Sequence, residues 1–132
     1  MIEDIFKTFF EQYKNDSKKS NLTYVVTSRD RKGGSGNPHA TPGNAMDLTL
    51  RTNGQYSAIK EYNDLLKYMF DNWQYRAGMD NTPNKTRPDF PGNVHIHIDL
   101  GMVMPKGQTM PFFFIEDNGI FQKRITNKNQ IV

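Results

Sequence analysis

Three features of this sequence predict an α+β fold, with a mainly antiparallel sheet of about four to five strands packed against two helices. Two stretches, residues 2 to about 16 and about 57 to 76, carry apolar residues at helical spacing. The run Val94-His95-Ile96-His97-Ile98-Asp99 alternates apolar and polar without a break, as a strand with one buried face does. The order helix, two strands, helix, three strands lacks the alternating rhythm of a parallel βαβ sheet.

In the first helix, Ile2, Ile5, Phe6, Phe9, Phe10 and Tyr13 form one apolar stripe, suited to covering a sheet. Glu3 and Asp4 in the first turn, and Lys18 and Lys19 past the end, complement the helix dipole. Leu22 to Ser28 has high β-propensity. Arg29 to Asn44, rich in Gly and Pro, reads as a loop. Its Gly33-Gly34-Ser35-Gly36 lacks the Gly-Lys-Ser/Thr ending of a phosphate-binding loop. Ala45 to Arg51 is a second strand, with Ala45, Asp47 and Thr49 on one face and Met46, Leu48 and Leu50 on the other. Asn53-Gly54 marks a turn, and the second helix follows, with Gly78 as its stop signal and Trp73 packed in the core. Met79 to Asn93 is expected to be irregular and to border the site. After the histidine strand, Met110 to Ile115 and Ile120 to Ile125 read as a hairpin around Asp117-Asn118-Gly119. Thr126 to Val132 is a polar tail expected to fray.

The 132 residues suit a single domain, 1–132, with no linker or internal repeat. No apolar run approaches the length of a membrane span, so no membrane insertion is expected. The acidic, amphipathic N-terminus is unlike a secretory signal, which suggests synthesis in a cytoplasm without one. The absence of cysteine excludes disulfides, thiolate ligands and thiol catalysis. The net charge of +3 is spread along the chain, which suits an anionic partner such as a cell wall better than specific nucleic-acid recognition.

The chemistry concentrates in the histidines. His95 and His97 project into the same space from one strand face. Alone, such a pair is commonly an ordinary polar surface feature. Here the third and last histidine, His39, lies just before the strand that carries Asp47. Two imidazoles and a carboxylate, His39, Asp47 and His97, form the three-ligand set that catalytic zinc uses. Zinc held this way activates water and polarises a substrate carbonyl. His95 is the candidate proton carrier, and Arg31 is a candidate cation for a developing oxyanion. Asp99 reads as a polar residue that supports a ligand imidazole from behind. His95-x-His97-x-Asp99 also begins the metallo-β-lactamase motif, but Leu100 follows and too few histidines remain.

Thr27-Ser28-Arg29-Asp30-Arg31, His39-Ala40-Thr41-Pro42-Gly43-Asn44-Ala45-Met46-Asp47 and His95-Ile96-His97 together resemble the zinc D-alanyl-D-alanine carboxypeptidase and endopeptidase family. That family includes phage endolysins and shares its fold with hedgehog signalling domains. Ser28 and Arg31 match its Ser-x-x-Arg, and Gly43, Ala45 and Asp47 match its Gly-x-Ala-x-Asp. His39 stands one residue further from the glycine than the family pattern places it, and Val94 occupies the position of the catalytic acid found in some branches. The resemblance implies His39, Asp47 and His97 as zinc ligands, Arg31 as a substrate or oxyanion contact, and His95 as the catalytic histidine, with the identity of the general base open. It covers Thr27 to Asp99.

The expected function is hydrolysis of a peptide bond in bacterial peptidoglycan stem peptides or cross-links. Its setting would be phage lysis or entry, in the host or in a virion assembly. The alternative is a non-catalytic, zinc-containing structural or binding module of the same fold. The presence of both His95 and Arg31 favours the enzyme.

Overall fold

The computed structural model describes residues 1–30, 37–81, 94–104 and 108–131. Two helices, α1 (Ile2–Ser17) and α2 (Ile59–Asn72), accompany seven strands: β1 (Leu22–Ser28), β2 (Ala45–Thr52), β3 (Gln55–Tyr56), β4 (Arg76–Asp80), β5 (His95–Asp99), β6 (Phe112–Asp117) and β7 (Ile120–Ile125). They form one sheet in the order β1-β2-β5-β4-β6-β7, with β3 paired to β2.

The α+β class holds, but the sheet is mixed and larger than the four to five mainly antiparallel strands expected. Strand β4 runs parallel to β6, with Arg76 beside Phe112 and Asp80 beside Glu116. Two short strands account for the difference in number. The two-residue β3 follows the Asn53-Gly54 turn directly. The other, β4, occupies residues assigned from sequence to the end of α2 and the start of the following loop. Helix α2 stops at Asn72, and Gly78 lies mid-strand rather than at a helix terminus. The hairpin begins later than expected, at Phe112, and its first strand reaches Asp117. The C-terminal residues are tied down: Asn127 caps a short 3-10 turn over Lys128–Gln130, and Ile131 is buried in the core.

Both helices lie on one side of the sheet. Their stripes bury Phe6, Phe10, Tyr13, Tyr62, Leu65, Leu66 and Met69 against Met46, Leu48, Leu50, Ile96 and Ile98. Each such side chain contributes about 1.5–3 kcal/mol when fully buried. Trp73 joins this core, its ring edge-on to Phe6 and Phe9, and its indole N–H donates to the Arg76 carbonyl at 3.0 Å.

The opposite side of the sheet carries Asp47 and His97 together with the apolar Phe112 and Phe114. Register aligns Ser28, Asp47, His97, Gly78, Phe114 and Arg124 as one row across the strands. Gly78 is the gap in this row. A Cβ built there would lie 2.2 Å from the Phe114 ring, which is itself 4% exposed. Gly78→Ala is therefore expected to destabilise the fold by about 1–3 kcal/mol, the usual cost of overpacking. Absent the ring, alanine would favour a strand over glycine. An unchanged or raised denaturant midpoint for this variant would show that the ring retreats freely.

Candidate metal centre

The row places Asp47 and His97 side by side on β2 and β5. His39 approaches from the loop before β2. A 3-10 turn over Pro38–Ala40 presents it, with the Asn37 side chain accepting from the His39 backbone N–H at 3.0 Å. Gly43 has φ +72°, a conformation costly for other residues, and its carbonyl accepts from the Ile2 N–H at the start of α1. The buried Asn44 clamps the same loop: its amide donates to the Pro38 carbonyl at 3.0 Å, and its carbonyl oxygen accepts from the Met102 N–H.

One nitrogen or oxygen from each of His39, Asp47 and His97 lies within 4.8 Å of the others. Asp47 Oδ1 is 3.3 Å from His39 Nε2 and 2.9 Å from His97 Nδ1. Adjacent ligands of a tetrahedral zinc stand about 3.3 Å apart, given bonds of about 2.0–2.2 Å. The far nitrogens are also held. His39 Nδ1 sits 2.9 Å from the Arg29 carbonyl, which can only accept, so Nδ1 carries a proton and Nε2 is the nitrogen that faces Asp47. His97 Nε2 sits 2.8 Å from Asp99 Oδ2. Each imidazole thus has an outer acceptor orienting it, the arrangement typical of metal-bound histidine. The group can hold a metal ion.

Asp99 makes the expected hydrogen bond to the His97 ring and is itself supported. It accepts from Arg76 Nε at 3.2 Å and from the Gly101 N–H at 2.8 Å. Arg76 is buried, bonds Gln108 through Nη1, and lies 5.2 Å from the ring centroids of both Phe112 and Phe114. Sequence reasoning missed Arg76 because β4 was read as helix and loop. The period-two run Arg76-Ala77-Gly78-Met79-Asp80 was the available signal.

Burial pulls the His97 pKa down, but hydrogen bonds to Asp47 and Asp99 outweigh it and raise the value from 6.5 to about 9. Burial would raise the Asp47 pKa, but hydrogen bonds from His39 and His97 hold it well below 3.8. The His97 contribution to metal-free stability is therefore complete below pH 6.5 and lost as pH rises through about 9. The Asp47 contribution is present above pH 3.8 and lost as pH falls through its lower folded value. A cation on His97 Nδ1 must displace the proton there. Metal binding between pH 7 and 9 is expected to release about one proton and to tighten about tenfold per pH unit. Calorimetry in buffers of different ionisation enthalpy measures this. A pH-independent affinity would show that His97 is already neutral.

The centre lies in a cleft of about 960 Å³, lined on the floor by Thr49, Arg51, His95 and Phe114. His95 is half-buried and pairs in register with Asp80 of β4. Asp80 in turn accepts from the Asn118 and Gly119 N–H groups of the β6–β7 turn. The structure brings His39, Asp47, His97 and His95 into this one cleft. Arg31 and most of the 79–93 segment, Phe90 included, lie outside the described residues, though Asp80 does border the cleft.

No protein-family model, curated protein or solved structure matches this chain. No helix among the described residues is long and apolar enough to cross a membrane.

Proposed function

We propose that this protein is a zinc metallopeptidase that hydrolyses a peptide bond in bacterial peptidoglycan stem peptides or cross-links. The observation that carries the reading is the convergence of all three histidines of the chain, with Asp47, in one cleft. The donor set, two oriented imidazoles and one carboxylate, fits zinc. Bound there, zinc would supply Lewis-acid polarisation of the substrate carbonyl and an activated water.

The chain supplies the rest. His39, Asp47 and His97 hold the metal, with the Arg29 carbonyl and Asp99 fixing the imidazoles. His95, two residues from His97 on the same strand face, carries protons between water and the leaving amine. Arg31 is the proposed cation for the oxyanion, as the motif resemblance implies. A positively charged protein suits an anionic cell wall as substrate, and phage lysis or entry is a fitting setting.

One observation favours a second reading, a non-catalytic zinc-containing module. His97 is already enclosed by two carboxylates, so the cluster is a closed ion-pair network in its own right. Metal analysis of the purified protein, paired with digestion of peptidoglycan sacculi and mass spectrometry of the products, separates the two. About one zinc per chain is expected, with stem-peptide cleavage lost on chelation and restored by zinc. Absence of bound metal would sink both readings. Metal without cleavage would leave the binding module.

A further inference from the structure

The cleft extends along β2 beyond the metal centre. Asp47, Thr49 and Arg51 alternate onto its floor; the Arg51 backbone stands four residues from Asp47, about 13 Å along the strand, and its guanidinium turns back to Thr49. The Arg51 guanidinium is fixed on two sides. Its carbon lies 3.8 Å from the ring centroid of Tyr56, its register partner on β3. Its Nη1 donates to Thr49 Oγ1 at 2.8 Å and to the Leu50 carbonyl at 3.3 Å. These contacts use one corner of the fork and leave the Nε and Nη2 donors, the edge that binds a carboxylate in two parallel hydrogen bonds.

The charges along the cleft single out this arginine. Arg76, its other lining arginine, is committed to Asp99. Arg51 has no carboxylate partner among the described residues. Across the sheet, on β4 and β6, the cleft is lined by Asp80 and Glu116, which repel an anion. We propose that Arg51 is a specificity-determining residue that binds a carboxylate within the substrate peptide, two to four extended residues from the bond that is cut. This deepens the peptidase reading and rests on it for the meaning of that distance. The terminal carboxylate of a single leaving residue lies only about one residue length, roughly 3.5 Å, from the scissile bond. That is shorter than the roughly 7 Å that separates Asp47 from Thr49, where the Arg51 guanidinium is held, so such a carboxylate falls short of it. The site therefore selects an internal acidic group.

Calorimetry on the zinc-loaded protein tests this with two synthetic stem pentapeptides, one with a free glutamate α-carboxylate and one with the carboxamide in its place. The wild type is expected to bind the acid about tenfold more tightly than the amide, as a charge-assisted pair would give. Arg51→Gln is expected to bind both alike, with unchanged zinc content and thermal midpoint. Should that variant misfold, the Arg51 Nε–H resonance of the wild type gives the second readout, shifting with the acid and not with the amide. Equal affinities in the wild type, no binding of either peptide, or a preference that survives in Arg51→Gln would overturn the proposal. Cleavage is followed separately. Acid preference without cleavage would sink the peptidase reading and leave the carboxylate receptor, whereas cleavage without preference would do the reverse.

Discussion

Asp47→Ala is expected to abolish stoichiometric metal binding, weakening affinity by more than the 10–100-fold that loss of an outer hydrogen-bond partner causes. The reason is its central place. A single carboxylate oxygen approaches both imidazoles, at 3.3 Å and 2.9 Å, so removing it takes away the only anionic ligand and the group that pairs them. The fold should persist without metal, because Asp99 still neutralises a protonated His97. Competition against a chromophoric chelator measures the effect. Asp99→Asn is the useful companion, since it keeps the three ligands and loses only the charge behind His97, and its loss should stay within about 10–100-fold. Equal losses in the two variants would show that Asp47 acts through the fold rather than as a ligand.

His95→Ala is expected to lower kcat on stem-peptide substrates by about 10²–10⁴-fold while leaving zinc content unchanged. His95 lines the cleft but lies outside the cluster formed by His39, Asp47 and His97. A proton carrier at this position acts only as the transition state forms, so kcat should fall far more than KM rises. Wild-type turnover in the variant would remove His95 from the mechanism. Loss of metal together with activity would recast it as a support for the centre.

Much of this was legible one strand at a time. The alternation of Val94 to Asp99 correctly separated Ile96 and Ile98, which enter the core, from His97 and Asp99, which lie on the opposite face of the sheet. The alternation of β2 likewise put Met46, Leu48 and Leu50 inside and left Asp47 outside. Period two is a local property of extended backbone, so it survives without knowledge of neighbours. Strand β4 was not legible in the same way. Residues 57 to 76 carry a helical stripe that runs past the true end of α2, because Trp73 also packs with the apolar side chains. Gly78, a common helix stop, reinforced the error, whereas its actual role is to leave room for Phe114.

The sequence by itself determined the α+β class, the strand face that His97 takes and the scarcity of candidate ligands, three histidines and no cysteine. All of these follow from composition and from periodicity within single elements. Only the tertiary structure decided which nitrogen of each histidine turns inward, because the Arg29 carbonyl and Asp99 come from elsewhere in the chain or from the far side of the ring. It also decided that Arg76 stands behind Asp99, and that Arg51 faces the cleft on a Tyr56 ring. Those relations are set by strand order and register, through pairings whose partners lie far apart in the chain, and no local pattern encodes them.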